Sequence, residues 1–424
     1  GLSHLGLVWS LGYASLGFKV IGFDTDIKTV TDLNNGVIPV AEPKLPELLK
    51  EHRSSVTFSS DPTVLKECSV VYCAKDVAMD EEGKIDLAEI DTLLGVAIPH
   101  LRPQVEFIFM GQVPVGYTRK IGDRIRTLRP GFPFNLTYCV ETVSIGTAVA
   151  TFLRRQYTIL GTSESQSAAP LVQEVLKPFN SPTICISYES AELAKGGINI
   201  LLASQLSFVN TLSELCERYD ANVHEVVAAM KLDKRFSPTG YWRPGLGFAG
   251  GHFERDLSTW TRLSEEAGLE PKFLKTLVAC SKERHQWLVK ILERYVLNNS
   301  KRPTIGLWGL AYKKGTESTH NAHCLRVIRD FASRATLKVY DPAAILPSSV
   351  ASKVEICKSK EAVLENADGL VILTEWDEFA TAEPDLFLKK MRRPIIIDCV
   401  NILPHLNDKR LTCISIGKPL PPLP

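Results

Sequence analysis

An α/β fold is predicted, with two α/β domains joined by a central long-helix region. Three observations predict it. Short β-branched and aromatic runs alternate with helical stretches over residues 1–185. From Ser190 apolar residues recur at helical spacing. At Thr304 strand-like runs return. The expected domains are therefore residues 1–185, 186–298 and 299–424.

In the first domain "FKVIGFD", "SVVYCA", "VEFIFM", "LTYCV" and "YTILGT" have strand length. Between them lie stretches such as "TVTDLNNG" and "DLAEIDTLLGVAIPHL". This rhythm reads as βαβ units on a parallel sheet. In the middle, Leu193, Ile198, Leu201, Leu202, Leu206, Val209, Leu212 and Leu215 predict one long helix that stops near "YDANV". Helix continues to about Met230, a Pro/Gly stretch covers 237–251, and helices resume to about Asn298. "NNSKRP" reads as a linker. The last domain carries "TIGLWGL", "TLKVYD", "GLVILTE" and "PIIIDCV", a second, smaller α/β unit. The tail "GKPLPPLP" suits an extended surface segment.

Composition excludes several classes. The 424 residues are 45% hydrophobic and 23% charged, too long for one core. Lys and Arg total 49 against 48 acids, a net charge of +1, so no nucleic-acid partner is expected. No apolar run reaches the roughly 18 residues of a membrane span, and no membrane partner is expected. The start "GLSHLGLVWS" has no basic region and does not read as a signal peptide. It also lacks Met and begins abruptly, so the natural chain is expected to begin earlier. Ten cysteines lie scattered without a CxxC pair. They read as reduced thiols of a cytoplasmic protein, with no metal site.

Three motifs carry chemistry. Gly1, Ser3 and Gly6 open an apolar helix, and Asp24 ends the next strand about 20 residues on. In a Rossmann-like βαβ unit such glycines let the backbone approach a pyrophosphate, and the acid binds ribose hydroxyls. Ser3 stands where the middle glycine belongs. Asp24 favours NAD over NADP. The second motif is "ESAELAKGGINILLASQ", where Lys195 and Asn199 share a helix face. Such a pair is ordinarily solvated. Here Gly196 and Gly197 each cost about 1 kcal/mol in a helix, which points to room made for a ligand. Lys195 would then polarise an oxygen. The third is "GFAGGHFERD", preceded by "LDKRF". It gathers Asp233, Arg235, His252, Arg255 and Asp256 around a glycine-rich turn that is otherwise a plain charged loop.

Together these motifs resemble the UDP-glucose dehydrogenase family of NAD-dependent nucleotide-sugar dehydrogenases, over essentially the whole chain. "ELAKGGINILLASQ" is similar to the family's Glu-Leu-x-Lys-x-x-x-Asn helix. "PGLGFAGGHFERD" is similar to its Gly-Phe-Gly-Gly-Ser-Cys-Phe-x-Lys-Asp loop. "VPVGYT", "GLAYKKGT" and "VYDP" also match. The resemblance implies an N-terminal NAD domain, a homodimer through the central helix and a C-terminal domain for UDP. It implies catalytic roles for Lys195, Asn199, Asp256 and Glu141. It implies cofactor contacts at Gly1, Ser3, Leu5, Gly6, Asp24 and Arg255. For the nucleotide-sugar substrate it implies Arg235, which reaches the partner subunit's sugar site, with Gly245, Phe248, Gly250 and Lys313.

Departures from the pattern bear on the product. The catalytic cysteine is replaced by His252, which cannot run the thiohemiacetal and thioester sequence. The Ser-Thr before Val-Pro is Gly111-Gln112, and the Val-Pro-Thr-Pro loop reads "CAKDV". Two arginines that grip nucleotide and phosphate are His320 and Val400. The expected activity is a single hydride transfer to an aldehyde or ketosugar, with His252 as general base or hydrogen-bond partner. A full oxidation to the acid through a hydrated aldehyde stays open. So does a chain that binds NAD and nucleotide without turnover.

Overall fold

The computed structural model describes residues 1–79, 85–163, 167–237, 239–299 and 301–423. Ser300 of the expected linker and Pro424 of the tail lie outside the described residues. The chain forms two compact units, Gly1–Ile198 and Asn199–Pro424. They divide inside the long helix.

In the first unit, β1 (Val20–Phe23) and β2 (Val56–Ser59) form a parallel pair. β3 (Val70–Cys73) starts a separate sheet, and β4 (Ala78–Met79) and β5 (Ile85–Asp86) form a small antiparallel hairpin. β6 (Val105–Phe109), β7 (Phe134–Cys139), β8 (Thr158–Thr162) and β9 (Thr183–Ser187) complete the main sheet in the order β3-β6-β7-β8-β9. The expected sheet was parallel throughout, yet β8 runs antiparallel to β7. Its ladder needs only the two pairs Tyr138–Gly161 and Cys139–Leu160, after which β9 rejoins β8 in parallel. Between β1 and β3 the sheet is split by a cleft of about 770 Å³, lined by both strands and by Trp9 and Tyr13.

The first helix, His4–Ser15, packs Leu7, Leu11 and Trp9 into this unit's core. Gly12 makes the packing possible, because a Cβ there would lie 2.4 Å from the Phe152 ring. The long helix spans Tyr188–Arg218. It ends as the sequence predicts: Asp220 turns left-handed at φ 52°, and Asn222 caps the next helix, Val223–Met230, by accepting from the His224 amide at 3.0 Å.

The second unit carries β10 (Thr304–Trp308), β11 (Thr336–Tyr340), β12 (Glu355–Ile356), β13 (Gly369–Ile372), β14 (Ile395–Asp398) and β15 (Thr412–Ser415). All pair in parallel, in the order β12-β11-β10-β13-β14-β15. The order reverses between β10 and β13, where a doubly wound sheet opens a crevice beyond its strand ends. Both faces are covered, which is why β13 and β14 are buried along their whole length and read as continuous apolar runs.

His323 opens the helix His323–Phe331 in this unit. Burial, with Arg326 adding, pushes its imidazole down to about 3. An unfolded histidine titrates near 6.5, so between these values the unfolded chain binds the extra proton. The stability from this neutral ring is therefore complete above about pH 6.5 and drains as pH falls toward about 3. Acid scans of the thermal midpoint should show this loss, and His323→Gln should flatten that limb.

Candidate active site

The first unit supplies a dinucleotide cradle. A Cβ on Gly6 would lie 1.9 Å from the Gly1 carbonyl oxygen, so only glycine allows this turn. Ser3 precedes the first helix and Leu5 lies in its opening turn. Asp24 follows β1, is 2% exposed, and accepts from the amides of Leu2 at 2.6 Å and Asp26 at 3.1 Å. Burial alone would raise its carboxyl, but those two N–H groups, the Gly1 amino group and, least, Lys75 leave it below the usual range. The Lys75 ammonium lies 3.6 Å from Asp24 and 3.3 Å from Glu89. These residues line a hollow of about 450 Å³ with Thr25, Asp26 and Thr92. An ionised acid at a strand end, beside a turn closed to any Cβ, fits the ribose and pyrophosphate of NAD.

Two further carboxylates hold the surrounding loops. Glu42 is buried, bonds His4 Nε2 at 2.8 Å, and accepts from the amides of Gly146 at 2.7 Å and Ala148 at 2.8 Å. Glu192 accepts from Gly116 at 2.6 Å and Thr118 at 2.8 Å, at the start of the helix Tyr117–Leu128. Burial raises the Glu192 carboxyl, against the pull of those donors. One turn along the long helix, Lys195 forms an ion pair with Glu141 at 2.6 Å and also donates to the Glu141 carbonyl oxygen. Both side chains are about nine-tenths buried, so each charge is tolerable because the other is there.

The second unit builds the glycine-rich loop. Gly247 takes φ 101°, and a Cβ there would meet the Ser281 carbonyl oxygen at 2.4 Å. Phe248 is buried and its amide donates to Ser281 Oγ at 2.7 Å. Gly250 takes φ 71° against the Tyr312 ring, and its carbonyl accepts from Asn321 at 3.2 Å. Gly245 donates to Asn210 at 2.8 Å and accepts from Arg284 at 3.0 Å. The chain then enters the helix His252–Glu266. Asp256 is fully buried there; it accepts from Asn199 and, at 3.1 Å, from Arg255. Arg255 also lies 3.2 Å from His252 Nδ1. Arginine can only donate, so Nδ1 accepts and a neutral imidazole carries its proton on Nε2. His252 itself is exposed at the helix start.

The remaining expected positions are placed differently. Lys313 follows Tyr312, with its ammonium 5.6 Å from that ring's centre. It therefore joins the loop that touches Gly250. Arg235 pairs with Asp233, two residues before it, at 2.5 Å and is 84% exposed. His320 lies two residues past Ser318, whose hydroxyl takes its amide at 3.3 Å, and the Val400 amide donates to Asp398 at 3.2 Å.

Sequence reasoning missed Glu42, Lys75, Glu192 and Arg284. Glu192 had a signal, since it lies one helical turn before Lys195. Lys75 stood in a stretch noticed only for departing from a pattern. Arg284 had none: it lies in the ordinary helix Lys272–Tyr295, yet is 2% exposed and braces Gly245, Glu214 and Ser213. Glu192→Ala strands two amides at the start of the Tyr117 helix. It should destabilise the chain by about 2–3 kcal/mol in denaturant melts, while Glu192→Gln, which can still accept, should lose less.

The chain matches the UDP-glucose/GDP-mannose dehydrogenase family over its NAD binding domain (residues 1–180), its central domain (189–282) and its UDP binding domain (306–405). It is 29% identical over 429 aligned positions to the UDP-glucose 6-dehydrogenase TuaD of Bacillus subtilis, covering 99% of this chain and 92% of that one. A UDP-glucose 6-dehydrogenase of Pseudomonas aeruginosa is 27% identical, with 99% and 96% covered. Among solved structures, a UDP-glucose dehydrogenase of Pyrobaculum islandicum superposes with a TM-score of 0.87 at 24% identity, covering 99% of this chain and 96% of that one. Among the described residues no helix is long and apolar enough to cross a membrane. The chain belongs to the UDP-glucose/GDP-mannose dehydrogenase family and is an NAD-dependent nucleotide-sugar dehydrogenase.

Proposed function

We propose that this enzyme oxidises a UDP-glucose-like sugar by a single hydride transfer and releases an aldehyde or ketosugar. The observation that carries this reading is His252 at the head of the loop helix, where a relative would need a thiol to make the acid. NAD, when bound, accepts the hydride. The carbinol carbon gives up that hydride, its hydroxyl proton passes to solvent water at the exposed His252 end of the loop, and the carbonyl forms. His252 was expected to be a base or a hydrogen-bond partner. Its bond from Arg255 supports the second role: Nε2–H donates to the reacting oxygen and steadies the negative charge that develops there. The resemblance assigns Lys195 and Asn199 to the sugar, and each is held within its own unit, Lys195 by Glu141 and Asn199 by Asp256.

A second reading, oxidation to the uronic acid through a hydrated aldehyde, keeps one specific support. Both polar pairs, Lys195–Glu141 and Asn199–Asp256, are intact. By role we assign residues 1–185 to NAD, 186–298 to the sugar and to assembly, and 299–424 to the nucleotide. The strand-order reversal beside Lys313 supports the last assignment.

We further infer a homodimer through the long helix. Leu193, Leu201, Phe208 and Leu215 recur every seven or eight residues on it and are 42%, 62%, 51% and 50% exposed. Such a stripe asks for a second apolar surface. In that dimer Arg235 serves the partner subunit's sugar site.

Counting reduced nicotinamide per sugar, with a product mass, tests the reaction. One NADH and a product lighter by two hydrogens is expected with UDP-glucose or another nucleotide sugar. Two NADH and a carboxylate would overturn the single-step reading. His252→Ala should slow turnover by about a hundredfold; unchanged turnover would remove His252 from the chemistry. Leu201→Glu with Phe208→Glu should give a monomer by light scattering, and a persistent dimer would place the interface elsewhere.

A further inference from the structure

Two departures from the family pattern, Ser3 in the glycine fingerprint and Asp76 in "CAKDV", meet each other in the structure. Ser3 stands where a glycine would let phosphate approach. Its hydroxyl accepts from the Asp76 amide at 2.8 Å and lies 3.5 Å from the Ala74 carbonyl oxygen. A glycine has no atom for either contact. The same tie seats the Asp76 carboxylate on the first helix, where it accepts from the Leu5 amide at 3.1 Å. Leu5 is in the opening turn of a twelve-residue helix, so its N–H is one that no helical carbonyl can satisfy. Amides there carry the positive end of the helix dipole and bind anions.

The neighbouring residue makes the complementary contact. Lys75 lies 3.6 Å from Asp24, the acid expected to take ribose hydroxyls. One short stretch after β3 therefore puts a negative group on the phosphate amides and a positive group on the ribose acid. Its two charges mirror the two halves of the cradle.

We propose that Lys75 and Asp76 form an internal latch over the cofactor cradle, and that Asp76 must leave the Leu5 amide before the pyrophosphate of NAD can take it. The proposal rests on reading the Gly1–Gly6 turn as the pyrophosphate place. Carboxylate and phosphate compete for one donor and repel each other, so the latch lowers the apparent affinity by the fraction of molecules in which it is closed. Ser3 is its anchor. The latch thus makes cofactor affinity depend on two side chains that touch no reacting atom.

Binding of NAD, measured by calorimetry without sugar, tests this. Asp76→Ala should tighten NAD about fivefold. Asp76→Asn keeps an acceptor but loses the charge, and should fall between. Ser3→Gly should also tighten NAD, because it frees Asp76 without touching it. The ligand-free thermal midpoint should fall in Asp76→Ala, since an amide loses its cap, while the further rise on adding NAD should grow. A purely structural cap would lower the midpoint and leave the affinity unchanged or weaker, and that result would overturn the latch. Asp24→Ala separates the two ideas. If it weakens NAD while Asp76→Ala does not tighten it, the cradle stands and the latch fails. If Asp24→Ala leaves NAD binding unaltered, the placement fails and the latch falls with it.

Discussion

One hydrogen bond occurs twice in this chain and fixes both of its nucleotide-fold units. In the first unit the Leu2 amide donates to the Asp24 carboxylate at 2.6 Å. In the second the Leu310 amide donates to the Asp341 carboxylate at 2.7 Å. Each leucine follows a glycine, Gly1 or Gly309, and each aspartate stands one residue past a parallel strand. The geometry explains the pairing. A loop that leaves a strand end has amides that no neighbouring strand can satisfy, and buried amides without partners are costly. A carboxylate from the adjacent strand end can take several at once. Asp341 takes the amides of Leu310, Ala311, Ala343 and Ala344 together with the Trp376 indole. Asp398, at the end of β14, does the same for Val400 and Leu403.

The same device recurs wherever loops must stay in shape around the chemistry. Glu42 and Glu192 are buried carboxylates whose main partners are backbone amides more than seventy residues away. Burial raises Glu192 and Asp398, so their donors are needed to keep the charged forms. Asp24 differs in outcome. Its two N–H donors, with the Gly1 amino group and Lys75, outweigh burial, and its edge faces the 450 Å³ hollow. Asp24 and Asp341 thus hold equivalent turns by equivalent bonds, and Asp24 also faces a hollow with a lysine across it.

This division decides what could be read from sequence. β1, β3, β6, β10, β13 and β14 were legible because their runs are mainly apolar, Glu106 and Thr304 being among the few polar interruptions. β2, β9 and β15 were not: their sequences, "VTFS", "TICIS" and "TCIS", mix polar and apolar residues. The long helix and its stop at Asp220 were legible from period and turn residues. Lys195, Asn199 and Asp256 could be named from spacing and resemblance. The pairings among them and Glu141 could not, because Glu141 is 54 residues from Lys195 and Asp256 is 57 from Asn199. Contacts at that separation are set by the packing of elements, not by local pattern. The Asp76–Leu5 bond spans 71 residues and was invisible for the same reason.

His252 shows how such a contact changes a chemical reading. From composition alone a histidine beside glycines is a general base near neutral pH. Three residues along the same helix, Arg255 donates to its Nδ1. A ring that accepts on one nitrogen keeps its neutral-form proton on the other, so what it offers outward is N–H. A base would have to offer a lone pair. In hydride transfer from an alcohol, an N–H donor stabilises the alkoxide from which the hydride departs, and it leaves no covalent adduct behind. A thiolate in that place forms the adduct that commits a substrate to a second oxidation. On the single-step reading proposed above, the bond from Arg255 leaves His252 an N–H to offer and no nucleophile, while the pairs Lys195–Glu141 and Asn199–Asp256 each form within their own unit.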